Sequence, residues 1–226
     1  MKHSARLADP TDRLRSDPEV QPPIGGAFKR SFDVAGAFTG ILLLSPLFIM
    51  LAILVKFSDG GRVFYGHRRI GRNGNAFLCL KFRTMVENGD EVLAAHFVRN
   101  PQSRDEWIAT RKLQDDPRVT RIGAVLRKLS LDELPQMFNI LRGDMSIVGP
   151  RPVVKDELEL YGPAADCYLK SRPGLTGLWQ VSGRNDVSYG TRVAFDRHYA
   201  ENWSFIFDLK IIVKTVPAVF SSRGSY

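Results

Sequence analysis

The sequence predicts an α+β protein, mainly α, that sits on a membrane as a monotopic body. It combines a re-entrant helix-break-helix, a small β-hairpin and interfacial amphipathic helices. Three observations carry this prediction. Val34 to Val55 is a 22-residue run without a charge, interrupted by Pro46. An Asn73-Gly74 pair lies between two β-prone segments, and the last long apolar segment, Phe205 to Phe220, is punctuated by Asp208, Lys210 and Lys214.

At 226 residues the chain is long enough for one domain with a real core. Residues 1–27 read as a disordered tail, because the first 23 are polar, Pro-rich and charged. They lack the short apolar core and small-residue cleavage site of a secretory signal. Residues 28–226 read as the single domain, with 28–57 as its membrane helix. A net charge of +8 attracts anions, which leaves nucleic acid, acidic lipid or a phosphorylated substrate as partner classes. Cys79 and Cys167 are too few and too isolated for a disulfide framework or a zinc site, so a reducing compartment is the expectation.

As a helix, the uncharged run spans roughly 33 Å, enough to cross a bilayer. Lys29 and Arg30 precede it, and Lys56, Arg62, Arg68, Arg69 and Arg72 follow, so its flanks give no direction of insertion. Pro46 removes a backbone donor, leaves the Leu42 carbonyl without its helical partner and bends the helix near its midpoint. The Ser45 hydroxyl can bond back to the Ile41 or Leu42 carbonyl and make the bend tolerable in lipid. A hairpin that enters and leaves by one face keeps both basic flanks on one side. A kinked full span is the alternative.

Beyond it, Val63 to Tyr65 and Phe77 to Phe82 flank the Asn73-Gly74 turn, the pattern of a β-hairpin. Lys81 and Arg83, two apart, would share a side. Val86 to Leu113 is polar and helix-compatible with a break at Pro101, and its acids read as solvated faces. His67, His96 and His198 have no metal-like spacing. Gln114 to Arg127 reads as a turn and a short helix that delivers Arg118, Arg121 and Arg127 toward the next stretch.

That stretch, Leu126 to Pro152, is the chemical centre. Asp132 and Glu133 sit side by side, with Arg127 and Lys128 before them and Arg142 and Arg151 after. Two readings stand together here. Ser130 with Glu133 three residues on has the form of a capping box, although Pro135 would then fall within the first turns. Alternatively, two carboxylates among cations suit phosphate chemistry, one attacking phosphorus or binding a divalent ion while the other handles a proton. Mg²⁺ would shield carboxylate from diphosphate. Farther on, Arg151 between two prolines suits bidentate phosphate recognition. Gly174, Gly177 and Gly183 fit close backbone approach or plain turns. Trp179 reads as core, and Phe205 to Phe220 as a helix in the headgroup region with its lysines on acidic lipids.

The run TRIGAVLRKLSLDELPQMFNILRGDMSIVGPRP resembles the signature of the bacterial sugar transferases, the monotopic polyprenyl-phosphate phosphoglycosyl transferases. Ser45-Pro46, KFRTM from Lys81, RPGLTGLWQVSGRN from Arg172 and the closing YAENWSFIFDLKIIVKT match in order, so the resemblance covers roughly Phe28 to Tyr226. It is nearest to the compact enzymes that prime exopolysaccharide synthesis, including galactosyl-phosphate transferases. The resemblance implies that Asp132 is the nucleophile and touches Mg²⁺, that Glu133 completes the dyad, and that Ser45-Pro46 breaks the re-entrant helix. It also implies that Lys81, Arg127, Arg151 and Arg184 bind substrate, and Arg83 joins them as a candidate from its place two residues after Lys81 on the same side. The implied partners are a UDP-sugar, galactose first and glucose second, undecaprenyl phosphate and membrane lipids, with a homodimer left open and no nucleic acid. The implied place is the cytoplasmic face of the bacterial inner membrane. Departures are a Thr in KFRTM where Ser is commoner, His67 where Gln is frequent, and the long insert from Val86 to Asp115.

Overall fold

A computed structural model describes residues 22–110, 113, 115–183 and 187–220. The order of elements is α1 (Gly26–Leu43), α2 (Ser45–Asp59), β1 (Phe64–Ile70), β2 (Ala76–Phe82), α3 (Gly89–Arg99), α4 (Pro101–Thr110), α5 (Arg121–Lys128), α6 (Gln136–Arg142), β3 (Ser146–Val148), α7 (Lys155–Glu159), α8 (Ala165–Lys170), β4 (Gly174–Thr176), α9 (Leu178–Val181), α10 (Tyr189–Glu201) and α11 (Phe205–Phe220). Most of the tail assigned to 1–27 lies outside the described residues, and α1 already starts at Gly26.

No single described helix is long and apolar enough to cross a membrane, but α1 and α2 together are, bent by 66° at Leu44. The break works as its residues dictate. Pro46 falls in the first turn of α2, where a missing N–H costs nothing, and the Ser45 hydroxyl donates to the Leu42 carbonyl at 2.8 Å. One side of the pair is packed: Phe48, Leu51 and Val55 are buried with Phe82 and Leu126. The other side is bare, with Phe38, Leu43, Ile49 and Phe57 all exposed. On α11, Ile206, Val213 and Val216 are likewise exposed.

The hairpin forms as read, and is longer on its first side. β1 and β2 pair antiparallel from Phe64↔Phe82 to Ile70↔Ala76. Asn73 and Gly74 have φ of 57° and 79°, which matches the twist of paired strands. A second pairing was not anticipated: β3 and β4 run parallel, Ser146 opposite Gly174 and Val148 opposite Thr176. Each strand is three residues long, too short for a periodic signal. The polar segment after the hairpin divides at Pro101 into α3 and α4, as expected.

Two charges turn inward: Lys29, a basic flank of the uncharged run, and Asp208, one of the charges that punctuate the last apolar segment. Lys29 Nζ donates to Asp208 Oδ2 at 2.6 Å, and both residues are buried, Asp208 completely. Asp33 lies 4.0 Å from the same ammonium and accepts from the Ile147 amide. Tyr199 and Trp203 complete the shell by donating to Asp208 at 2.7 and 3.1 Å. A buried charge requires partners of this kind, and here they tie the start of α1 to α10, α11 and β3. Lys210 and Lys214 do remain exposed on α11.

Candidate active site

A cavity of about 1690 Å³ opens between the hairpin, α5, α9 and α11, and it reaches Leu44 at the helix break. Lys81, Asp132, Glu133, Arg127 and Arg151 all line it. Local constraints explain why these distant residues meet.

Lys81 lies near the end of β2, and Asp132 and Glu133 lie on the 3-10 turn Leu131–Glu133 just before α6. Asn139 on α6, fully buried, locks those two elements together. Its side chain accepts from the Leu80 amide at 2.9 Å and donates to the Leu78 carbonyl at 2.7 Å, so it occupies the place of a neighbouring strand. The far end of α6 is held as well, because Arg30 donates to the carbonyls of Ile140 and Leu141 and Arg172 to that of Gly143. These cations satisfy the orphan carbonyls of a helix C-terminus.

The capping box is not formed. Ser130 has φ 55° and makes no side-chain cap, and Pro135 occupies the residue ahead of α6. The two acids therefore meet a lysine instead of a helix end. Lys81 Nζ donates to Asp132 Oδ2 at 3.2 Å and to Glu133 Oε1 at 2.7 Å. Asp132 is buried, 7% exposed, while Glu133 is half-buried. Burial and the charge of Glu133 push the Asp132 carboxyl above its ordinary range, with Lys81 and Arg127 working against them. Burial pulls the Lys81 ammonium down, but Glu133 and Asp132 outweigh it and hold it above its ordinary value. One ammonium thus bridges two carboxylates that would otherwise repel.

The arginines divide into those aimed at the cavity and those engaged elsewhere. Arg127 lines it and donates to the Thr84 hydroxyl at 2.9 Å. Its helix, α5, is capped by Thr120, whose hydroxyl accepts from the Gly123 amide. Arg151 lines the cavity and lies 5.4 Å from the centroid of the Trp179 ring. Arg83 lines it too, with its guanidinium forked onto both oxygens of Asp59 at the end of α2. Arg118 lines the cavity as well, paired with Asp116 at 2.6 Å and lying over Trp107. Arg121, Lys128 and Arg142 are exposed on the outside. Arg184 lies outside the described residues.

The glycines of the RPGLTGLWQ segment allow close backbone approach, and the other party is the chain itself. A Cβ on Gly174 would overlap the Gly149 amide, and one on Gly177 would overlap the Gly149 carbonyl. This contact fixes the loop that carries Arg151, which the Ile70 to Val153 backbone bond anchors to the hairpin from the other side. Trp179 is buried as expected, yet it also faces the site, with Arg151 and Arg192 on its ring. Sequence reasoning missed Gln180 on α9 and Thr176 on β4, both of which line the cavity, since a single polar residue in so short a helix or strand carries no pattern. Among the described residues no three His, Cys, Asp or Glu form a group that could hold a metal unaided. His67, His96 and His198 bond locally to Arg68, Asn100 and Asn202.

The family profile of bacterial sugar transferases matches residues 24–222 of this chain. The chain belongs to that family. This sugar transferase is 65% identical over 226 residues to the exopolysaccharide production protein ExoY of Sinorhizobium fredii, and 66% identical over 226 residues to that of Rhizobium meliloti. Both matches span the whole of each chain. It is also 52% identical over 198 residues to the undecaprenyl-phosphate galactose phosphotransferase of Salmonella typhimurium, covering 88% of this chain and 41% of that one.

Proposed function

We propose that this enzyme transfers a sugar 1-phosphate from a UDP-sugar to undecaprenyl phosphate and releases UMP, as the first membrane step of exopolysaccharide synthesis. The observation that carries this is Asp132, buried at the wall of a large cationic cavity and bridged to Glu133 by Lys81. The Asp132 carboxylate attacks the phosphorus that bears the sugar. An oxygen–phosphorus bond forms, the bond to the bridging oxygen of the diphosphate breaks, and UMP leaves with that oxygen. A phosphate oxygen of the lipid then attacks the same phosphorus and displaces Asp132, which returns to a carboxylate. Carboxylates are known nucleophiles for phosphoryl transfer, and splitting the reaction in this way replaces one hard displacement by two easier ones.

Glu133 shares the Lys81 ammonium and so fixes the orientation of Asp132, while Lys81, Arg127 and Arg151 take the charge that develops on the phosphoryl oxygens. Arg83 contributes from its place on Asp59, and Arg184 belongs to the same set by resemblance. Mg²⁺ fits the donor chemistry, because that ion takes one or two carboxylates and completes its shell from phosphate oxygens and water. Asp132, with Glu133 beside it, would hold the ion, which would neutralise diphosphate charge.

The placement follows the acceptor. A lipid phosphate lies at the headgroup level, so the cavity has to open at that depth. The bent α1–α2 pair is read as re-entrant, with its bare face in the acyl region and the exposed apolar face of α11 alongside in the interface. Lys210 and Lys214 then meet acidic lipid. The catalytic body lies on the cytoplasmic face of the inner membrane. Galactose is the favoured sugar, from the name of the Salmonella relative, and glucose the alternative.

Two measurements decide the reading. UMP release from a panel of UDP-sugars, with the protein in detergent and undecaprenyl phosphate present, should be greatest with UDP-galactose. Intact-mass analysis of enzyme mixed with donor alone should show a phosphosugar adduct on the wild type and none on Asp132→Asn. An adduct on the variant would sink the nucleophile assignment.

A further inference from the structure

Pro150-Arg151-Pro152 contains a single amide hydrogen, that of Arg151, because neither proline has one. The loop around it is tied at both ends. The Pro150 carbonyl accepts from the Gly174 amide at 2.8 Å, and the Val153 carbonyl accepts from the Ile70 amide at 2.9 Å. The Val153 amide donates to the Tyr168 hydroxyl at 3.2 Å, and that hydroxyl donates to the Ile70 carbonyl at 2.6 Å. Between these ties the Arg151 backbone approaches the carboxyl of Asp196 on α10. Asp196 is 3% exposed and accepts from the Tyr161 hydroxyl at 2.8 Å. A buried carboxyl requires donors, and Asp196 finds them in Tyr161 and in the backbone of Arg151.

We propose that Asp196 is a positioning residue for Arg151, holding the main chain of that arginine so that its guanidinium meets the phosphates of the donor. This rests on Arg151 binding the donor diphosphate, as in the function proposed above. Helix α10 holds the arginine from both ends. Asp196 takes its backbone, while Arg192, one turn earlier on α10, lies 4.8 Å from the centroid of the Trp179 ring, and the Arg151 guanidinium lies 5.4 Å from the same centroid. Arg151 is also confined along the chain, since Pro150 has a fixed φ and Pro152 keeps the residue before it extended. A main chain this stiff passes a shift of its anchor on to the guanidinium instead of absorbing it. Misplacing a substrate-positioning group by about 1 Å is enough to lower a rate by about a hundredfold, so a lost anchor is readable in turnover. Asp196 does not itself line the cavity that holds Asp132, and its influence therefore runs through Arg151.

The test is UMP release by the full chain in detergent with undecaprenyl phosphate, read as kcat/KM for whichever UDP-sugar the wild type turns over fastest, with a melting curve on each protein. Asp196→Ala should lower kcat/KM about tenfold, the scale of one hydrogen bond to a charged group. Asp196→Asn keeps an amide oxygen that accepts from the Arg151 N–H, and it should stay within about threefold of wild type. Arg151→Met should lose about a hundredfold, and adding Asp196→Ala to it should change little further. A merely structural aspartate would weaken both backgrounds alike. Losses that multiply in the double variant therefore overturn the proposal, as does full activity in folded Asp196→Ala, or an Asp196→Asn as impaired as Asp196→Ala. Should Asp196→Ala not fold, Tyr161→Phe carries the same cycle: it frees the carboxyl and should lower kcat/KM when Arg151 is present but not in Arg151→Met, and equal losses in the two overturn the proposal. A wild type that turns over no UDP-sugar brings down the donor assignment itself, and an Arg151→Met protein as active as wild type brings down the role of Arg151.

Discussion

Two lysines in this protein each face two carboxylates, and they do opposite work. Lys29 lies between Asp208 at 2.6 Å and Asp33 at 4.0 Å, with Tyr199, Trp203 and the Ile147 amide filling the remaining valences. All three charged residues are buried, and nothing in that cluster is left to bind a ligand. Lys81 lies between Asp132 and Glu133 at 3.2 and 2.7 Å, but the trio forms part of a cavity wall where Arg127 and Arg151 bring further positive charge. The first cluster is saturated and holds elements together. The second has more cation than its acids need, a surplus that an incoming diphosphate would take up. Residue types alone do not separate structure from chemistry here; saturation does.

The largest expected effect comes from breaking the open cluster at its nucleophile. Asp132→Asn should lower sugar-phosphate transfer by about 10⁴-fold or more, the scale seen when a covalent nucleophile is removed. Its thermal midpoint should stay level or rise, because a carboxylate that burial disfavours has been replaced by a neutral amide. A transfer assay and a melting curve on the same preparation check both halves.

The closed cluster should answer in reverse. Lys29→Met leaves Asp33 and Asp208 buried without their shared cation, and it should cost about 3–5 kcal/mol of stability. Adding Asp208→Asn to that variant should recover part of the loss, since it removes one of the stranded charges. Denaturant unfolding of the three proteins measures this. Per folded molecule, the reaction should change little.

Lys81→Met gives a smaller effect and sharpens the comparison. The substitution removes one charge-assisted contact at the reacting centre, for which a loss of about 10²-fold in turnover is the expected scale. It also removes the influence that holds the Asp132 carboxyl down against burial and Glu133. Since the attacking form is the carboxylate, the acid limb of the rate profile should move to higher pH in the variant. A rate profile with an unmoved acid limb would show that Lys81 does not set the ionisation of Asp132.

The two clusters also differ in how far the sequence reveals them. Asp132 and Glu133 are adjacent, and Lys81 stands in a segment marked by the hairpin turn, so the site could be read from local patterns. The break at Ser45-Pro46 was legible for the same reason: a proline and a hydroxyl act on their own backbone. Lys29 and Asp208 are 179 residues apart, and each looks like an ordinary flanking charge until the chain closes. The Ser130 cap failed because residue 130 takes a left-handed conformation that no short-range rule anticipates. Gly174 and Gly177 signalled close approach correctly, but only the parallel β3–β4 pair shows that the approach is to Gly149.

A third acid falls between the two cases, and its response to pH is the smallest effect expected. Asp196 on α10 is buried, accepts from the Tyr161 hydroxyl at 2.8 Å and is approached by the Arg151 backbone. Burial pushes its carboxyl from the ordinary 3.8 up to about 7, although the Tyr161 hydroxyl and the Arg151 backbone oppose the rise. The folded chain therefore holds a proton there that the unfolded chain has released. Between about pH 4 and pH 7 the native state binds more protons at this site, so its contribution to stability falls as pH rises, by up to about 1.4 kcal/mol per pH unit. Asp196→Asn abolishes that slope. Unfolding of wild type and variant compared at intervals from pH 4.5 to pH 7.5 should show the difference between them shifting steadily in favour of the variant. A constant difference would mean that Asp196 is as fully partnered as Asp208.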